Sequence, residues 1–288
     1  MAEGRPVETF TPRLVALDID GTLFANVPST GVVEETMRPA VVEAVHRAYD
    51  AVQRALDSGA HIVLSSGRSP HGMTRIADLL DLHTADRERL WVVASNGAVI
   101  FRYPPLEVVH EETFDARAAV AAVLEHHPNA LVAVEERGVG YRVSDHFPTG
   151  ELSGEMIVTE IDELVAGPVS RVIIRDPSAT AQDFVDLAGR LGLHGTDYVV
   201  GWTAWMDLAP MGVSKASGLS HVAAGPAQHL EVVAAVADRQ HVGGVHTQGG
   251  RGVAMGQAVQ EVHDAADASA LGVDEDGAAV EISTWFPA

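Results

Sequence analysis

Two aspartates, Asp18 and Asp20, stand in the segment Asp18-Ile19-Asp20-Gly21-Thr22, directly after the short apolar run at residues 14–17. An apolar run that ends abruptly in acids and glycine predicts a buried strand delivering both carboxylates to its carboxyl end. Carboxylates at this spacing can divide the work of phosphoryl transfer. One acts as nucleophile and metal ligand, the other as general acid and base toward the leaving group. Gly21 lets the backbone turn tightly there. The plain alternative is that Asp-Gly only ends a strand and opens a turn. Position favours chemistry, because open α/β sheets bind ligands at the carboxyl ends of their parallel strands.

Other elements must hold such a segment in place. Pro39 opens a predicted helix with Val41, Val45, Ala48, Val52 and Leu56 on one face, and Gly59 stops it. A strand at 61–66, a helix at 70–82 and a strand at 90–94 follow. This alternation predicts right-handed crossovers and a parallel sheet. From about residue 101 the rhythm changes. Short runs at 98–102 and 107–114 flank Pro104-Pro105, then come a helix at 116–126, strands at 130–135, 140–143 and 169–175, a helix at 180–191 and strands across 198–208. After Pro210 the earlier rhythm returns, with a helix at 215–223, strands at 230–236 and 253–255, and a helix at 257–268. The expected fold class is α/β: a Rossmann-like parallel-sheet core, residues 1–101 and 209–288, carrying an inserted α+β cap domain, residues 102–208.

Composition narrows the function. The chain has 288 residues, 47% of them hydrophobic and 20% charged, which supplies a substantial core. Nineteen Lys and Arg against 40 Asp and Glu give a formal charge of −21. That field repels a phosphate backbone, so no nucleic-acid partner is expected, and a small anionic substrate needs local cations or a metal. With no cysteine there are no disulfides, thiolate zinc sites or cysteine nucleophiles. The first 13 residues lack the apolar stretch of a signal peptide, and no apolar run reaches membrane-span length; a cytoplasmic protein without a membrane partner is expected. No Gly-x-Ser-x-Gly elbow is present, which disfavours a serine hydrolase. His126-His127 and Glu135-Glu136 read as solvated, and Trp202 and Trp205 as packing between strands.

Asp18-Ile19-Asp20-Gly21-Thr22-Leu23 resembles the first motif of the haloacid-dehalogenase-like superfamily, and further segments resemble its Cof-like phosphatase branch with a large α/β cap. Ser66-Gly67-Arg68 is similar to the second motif, and Asn96-Gly97-Ala98 to the segment preceding the cap. Pro210-Met211-Gly212-Val213-Ser214-Lys215 is similar to the third motif. Gly252-Val253-Ala254-Met255-Gly256-Gln257-Ala258 and Glu275-Asp276-Gly277 are similar to the closing segments. The resemblance implies a Mg²⁺-dependent phosphatase acting on a small phosphorylated metabolite such as a sugar phosphate; a phosphomutase is the minor alternative. It implies that Asp18 attacks phosphorus, that Asp20 protonates the departing alkoxide and contacts Mg²⁺, and that Ser66 and Lys215 hold phosphoryl oxygens. Arg68 and Asn96 are weaker candidates for substrate contact, balanced by readings as a helix-start ion pair and a turn cap. A hard cation and a lysine suit this chemistry, which needs charge stabilisation above all.

The fourth motif departs from the pattern. Where the family has Gly-Asp-x-x-Asn-Asp, this chain reads Ala237-Asp238-Arg239-Gln240-His241-Val242. Asp238 falls at the direct magnesium ligand, so the implied metal set is Asp18, Asp20 and Asp238. His241 and Val242 replace the Asn and the second Asp, and valine cannot orient metal-bound water; losing such a contact typically costs about 10–100-fold in metal affinity or activity. The glycine-rich stretch 243–250 disfavours the helix expected there. A catalytically silent phosphometabolite binder on the same fold is therefore the competing reading, and a local frame error in the gene is another, decided by resequencing these codons.

Overall fold

The computed structural model describes residues 12–24, 39–82, 89–191, 196–200, 204–224, 232–237 and 251–288. In chain order the elements are β1 (Leu14–Leu17), α1 (Pro39–Asp57), β2 (His61–Ser65), α2 (Pro70–Leu79), β3 (Leu90–Ala94), β4 (Val99–Tyr103) and β5 (Glu107–Glu111). Next come α3 (Arg117–His126), β6 (Leu131–Glu136), β7 (Gly140–Val143), β8 (Glu155–Val158), α4 (Ile161–Leu164), β9 (Val172–Arg175), α5 (Ala181–Leu191), β10 (Thr196–Val200) and β11 (Trp205–Pro210). The chain continues through α6 (Lys215–Ala224), β12 (Val232–Ala237), β13 (Val253–Ala254), α7 (Gln260–Ala265), β14 (Ala268–Ser269) and α8 (Gly277–Trp285). The described residues fall into two compact units: those at 12–24, 39–63, 223–224, 232–237 and 251–288 form one, and those within 64–222 the other.

The first unit is the parallel α/β part, with strand order β14-β13-β12-β1-β2. β1 runs parallel to β12, pairing Leu17 with Val236, and β12, β13 and β14 are mutually parallel. All four β1 residues are buried, as a strand covered on both faces requires. Ala48, Ala51, Val52 and Ala55 bury one face of α1 at helical spacing. Across from it lies α8, whose Ala278, Ala279, Ile282 and Trp285 are buried. Arg54 joins the two helices, donating to the Phe286 carbonyl at 3.2 Å and to Ser283 Oγ at 2.7 Å.

In the second unit the chain leaving β2 meets β3, and β3, β4 and β5 form an antiparallel meander. A separate six-stranded sheet has the order β10-β11-β9-β6-β7-β8, antiparallel except where β7 meets β8. Its alternation divides the labour of its two faces. Val132, Val134, Val172, Ile174, Met206 and Leu208 face α3 and α5, where Val120, Val123, Phe184 and Leu187 complete an apolar core. The intervening residues Glu135, Arg171 and Asp207 face the other way, beside a smaller cluster containing Ala133, Tyr141, Phe147 and Ile173.

Several expectations need correction. β5 pairs with β4, so the run at 107–111 extends the β3 meander and is not part of the six-stranded sheet. α7 covers only residues 260–265 because Gly256 and Gln257 are spent in a turn. β8, α4, β14 and α8 are elements that the sequence pattern does not mark. Glu135 is not solvated: its side chain is 3% exposed and ion-paired with Arg171. His127 is likewise mostly covered and bonded to Asp176 at 2.8 Å, whereas His126 is exposed as expected. Trp205 does pack between elements, edge-on to Phe147; Trp202 lies outside the described residues.

Candidate active site

In the first unit, β1 ends at Leu17 and hands over to a tight turn, residues 18–24. Asp18 is 5% exposed, a rare degree of burial for a carboxylate, and one of its oxygens accepts the Ile19 N–H at 2.8 Å. The Ile19 carbonyl accepts N–H groups from Thr22, Leu23 and Phe24, while Gly21 donates to the Phe24 carbonyl. Ile19, Leu23 and Phe24 are buried and anchor the turn. Asp20 is partly buried beside them. The turn is thus rigid, and it offers hard oxygen donors that suit a small divalent cation such as Mg²⁺. Asp238, His241 and Val242 lie outside the described residues.

Gln257 braces this turn. Its Nε2 donates to the Gly21 carbonyl at 2.5 Å, and its Oε1 accepts the Val273 N–H at 3.0 Å. The sequence marks Gln257 only as part of a closing segment; a side-chain brace across 236 residues leaves no periodic signal. We expect Gln257→Ala to lower stability by about 1–3 kcal/mol through the loss of two hydrogen bonds, one to the Gly21 carbonyl and one from the Val273 N–H. Denaturant unfolding checks this, and an unchanged midpoint refutes the bracing role.

In the second unit, Ser66 directly follows β2 and is 1% exposed; its N–H donates to the Val93 carbonyl, and its Oγ accepts the Arg68 N–H at 3.2 Å. Arg68 is partly buried, just before the Ser69 cap of α2. Ser95 and Asn96 both adopt left-handed backbone, with φ of 51° and 55°. Such conformations cost roughly 1–3 kcal/mol each and persist only where the surroundings enforce them. Here the Ser95 N–H donates to the Arg68 carbonyl at 2.9 Å and the Asn96 N–H to the Ser66 carbonyl at 3.1 Å. A Cβ on Gly67 would stand 2.9 Å from Asn96 Oδ1, so the amide lies flat on that glycine. The structure therefore brings Ser66, Arg68 and Asn96 together.

Lys215 is the first residue of α6, preceded by a reciprocal cap. Ser217 N–H donates to Ser214 Oγ at 3.2 Å, and Ser214 N–H donates to Ser217 Oγ at 2.9 Å. Gly97 carries this loop: a Cβ there, at φ 104°, would fall 2.1 Å from the Ser214 carbonyl oxygen. The helix start so fixed gives Lys215 a setting that favours anions.

Comparison with known families matches residues 15–282 to the family described as haloacid dehalogenase-like hydrolase. The chain belongs to that family. It is 24% identical to phosphatase YwpJ of Bacillus subtilis (strain 168), over 93% of this chain and 97% of that protein. A solved haloacid dehalogenase-like hydrolase from Bacteroides thetaiotaomicron superposes with a TM-score of 0.72 at 21% identity, covering 94% of this chain and 98% of the other. The subclass IIB sugar phosphatase BT4131 superposes with a TM-score of 0.66 at 17% identity, covering 94% and 98%. These likenesses agree with the mixed α/β architecture and its parallel-sheet core. This hydrolase also has, among the described residues, no helix long and apolar enough to cross a membrane.

Proposed function

We propose that this hydrolase is a Mg²⁺-dependent phosphatase of the cytoplasm, removing phosphate from a small metabolite, with a sugar phosphate as the favoured class. The observation that carries the reading is the buried Asp18 carboxylate at the end of β1, on a turn too well bonded to be only a strand terminus. Family membership and the similarity to a sugar phosphatase support it. In this reading residues 102–208 form the inserted cap that selects the alcohol part of the substrate.

Asp18 attacks phosphorus in line and carries the phosphoryl group as an acyl phosphate. Asp20 gives a proton to the departing alkoxide and later takes one from the hydrolytic water. Ser66 donates its hydroxyl proton to a phosphoryl oxygen, and Lys215 neutralises another. Arg68 and Asn96 shape the second-motif turn and contact substrate. Asp18, the Asp20 carbonyl and Asp238 would hold Mg²⁺, which when bound supplies charge neutralisation to the transferring group. The net charge of −21 makes these local cations necessary for an anionic substrate to bind at all.

A phosphate-release screen over phosphorylated metabolites, with and without Mg²⁺, tests this reading. Metal-dependent release from at least one sugar phosphate is expected. Release no greater than that of Asp18→Asn across the whole panel ends it.

The second reading, a silent phosphometabolite binder, draws on His241 and Val242 in the fourth motif. Restoring Asn and Asp there (H241N with V242D) is expected to raise turnover at limiting Mg²⁺ by about 10–100-fold. Binding of substrate with no turnover in either form favours the silent binder.

A further inference from the structure

The polar face of the six-stranded sheet holds a buried chain of charges that the proposed chemistry does not use. Glu135 Oε1 accepts from Arg171 at 3.0 Å, and Arg171 reaches Asp207 Oδ1 at 2.9 and 2.7 Å. Trp205 Nε1 donates to the other Asp207 oxygen at 3.3 Å. The second oxygen of Glu135 accepts the Ser95 hydroxyl proton at 2.5 Å. Ser95 is fully buried, and its backbone N–H is the group that grips the Arg68 carbonyl. Beside it, Ser69 makes a parallel tie, 3.2 Å from Ser153 Oγ and hydrogen-bonded to Tyr141. Two serines flanking the Ser66–Arg68 turn, one from each neighbouring loop, are thus bound to side chains of the six-stranded sheet.

Resting on the phosphatase reading, we propose that Ser95 and Glu135 are positioning residues: their hydrogen bond holds the left-handed Ser95-Asn96 tip against the second motif, so that Ser66 is presented in its productive geometry only while the six-stranded sheet is docked. A buried ion pair is weak support for stability, because the cost of desolvating both charges offsets their attraction, so stability alone does not account for this chain of charges. Burial pushes the Glu135 carboxyl up from its ordinary range; Arg171 and Ser95 pull it back, and Asp207 raises it. Tyr141, the other titratable group facing it, is raised by burial and by Glu135 itself. Of its two donors, Ser95 is the one that ties the carboxylate to the tip, and losing that bond loosens it.

Four variants separate the hydroxyl from the backbone. Ser95→Ala removes the donor; Ser95→Gly removes it while easing the left-handed backbone. Glu135→Gln keeps an acceptor for Ser95, and Glu135→Leu does not. Both Ser95 variants and Glu135→Leu are expected to lower kcat about 10–100-fold with KM changed less than threefold, and Glu135→Gln to stay within about threefold of wild type. The double variant Ser95→Ala with Glu135→Leu is expected to be no slower than the worse single one, the signature of a shared interaction. Hydrogen exchange at the Ser95 and Asn96 amides is expected to accelerate at least tenfold in Ser95→Gly. That measurement needs no substrate, so it decides the positioning role even if no phosphate ester proves to be hydrolysed. Wild-type exchange and wild-type kcat in Ser95→Gly, or losses that multiply in the double variant, overturn the proposal.

Discussion

Asp18→Asn is expected to lower phosphate release by about 10⁴-fold or more while leaving the protein folded. The magnitude follows from what is removed. A carboxylate that attacks phosphorus has no substitute among neutral amides, and loss of a nucleophile ordinarily removes most of the catalytic acceleration. The fold should survive because asparagine is nearly isosteric and its side-chain oxygen can still accept the Ile19 N–H now held by Asp18 Oδ1. The buried charge is lost at the same time, which relieves desolvation. Thermal unfolding is therefore expected to shift by no more than a few degrees, and upward as readily as downward. The assay uses the best substrate from the screen at saturating Mg²⁺. Equal turnover by wild type and variant would defeat the nucleophile assignment, and a collapse in melting temperature would turn a loss of activity into a folding effect.

The sequence carries different parts of this protein with different clarity, for identifiable reasons. β1 and its aspartates were legible because a short apolar run broken off by two acids and a glycine is the pattern of a buried strand ending at a ligand-facing edge. β2, β3, α1, α2 and the core-facing residues of the six-stranded sheet followed from period-2 and period-3.6 patterns. β8 was not legible: its Glu155 is exposed, its Ile157 and Val158 lie on the surface, and within the strand Met156 alone packs against an apolar cluster, so no alternation marks it. α8 carries no local start signal, because it begins at Gly277 behind a left-handed Asp276 whose side chain does not cap it. Of the candidate site, each motif was readable separately. What the residues alone did not disclose is the scaffolding between them: Gln257 bracing Gly21, Asn96 lying on Gly67, and Ser95 held by Glu135.

Glu135 shows why. Alternation along β6 places Val132 and Val134 in the apolar core and sends Glu135 to the opposite face. Sequence periodicity treats that opposite face as solvent, which is correct for a sheet with one bare side. Here the far side is covered, and the burial of Glu135 is decided by Arg171 and Asp207, 36 and 72 residues away, through β6–β9 and β9–β11 pairing. A charge that is buried by long-range register looks identical, in the local sequence, to one that is solvated.

The same distinction between local and long-range cause predicts the largest stability loss. Gly97 and Gly59 both hold positive φ, 104° and 86°, so alanine at either position incurs backbone strain of about 1–2 kcal/mol. Around Gly59 a Cβ meets nothing within 4 Å, and Gly59→Ala should lose that strain energy and no more. At Gly97 the added Cβ would lie 2.1 Å from the Ser214 oxygen and 2.6 Å from its carbonyl carbon. Both are main-chain atoms that no rotamer can move aside. Gly218 closes the other side, where a Cβ would stand 3.2 Å from Gly97 Cα, so the α6 start cannot simply slide. Gly97→Ala is therefore expected to cost about 4 kcal/mol or more. At roughly 2 °C per kcal/mol for a chain of this size, that is a melting-temperature drop of about 8 °C or greater, against about 2–4 °C for Gly59→Ala. Because the displaced segment carries Lys215, activity at a temperature where the variant remains folded should fall by about 100-fold, as a misplacement near 1 Å does. Equal melting temperatures for the two alanine variants would show that the third-motif loop does not rest on Gly97.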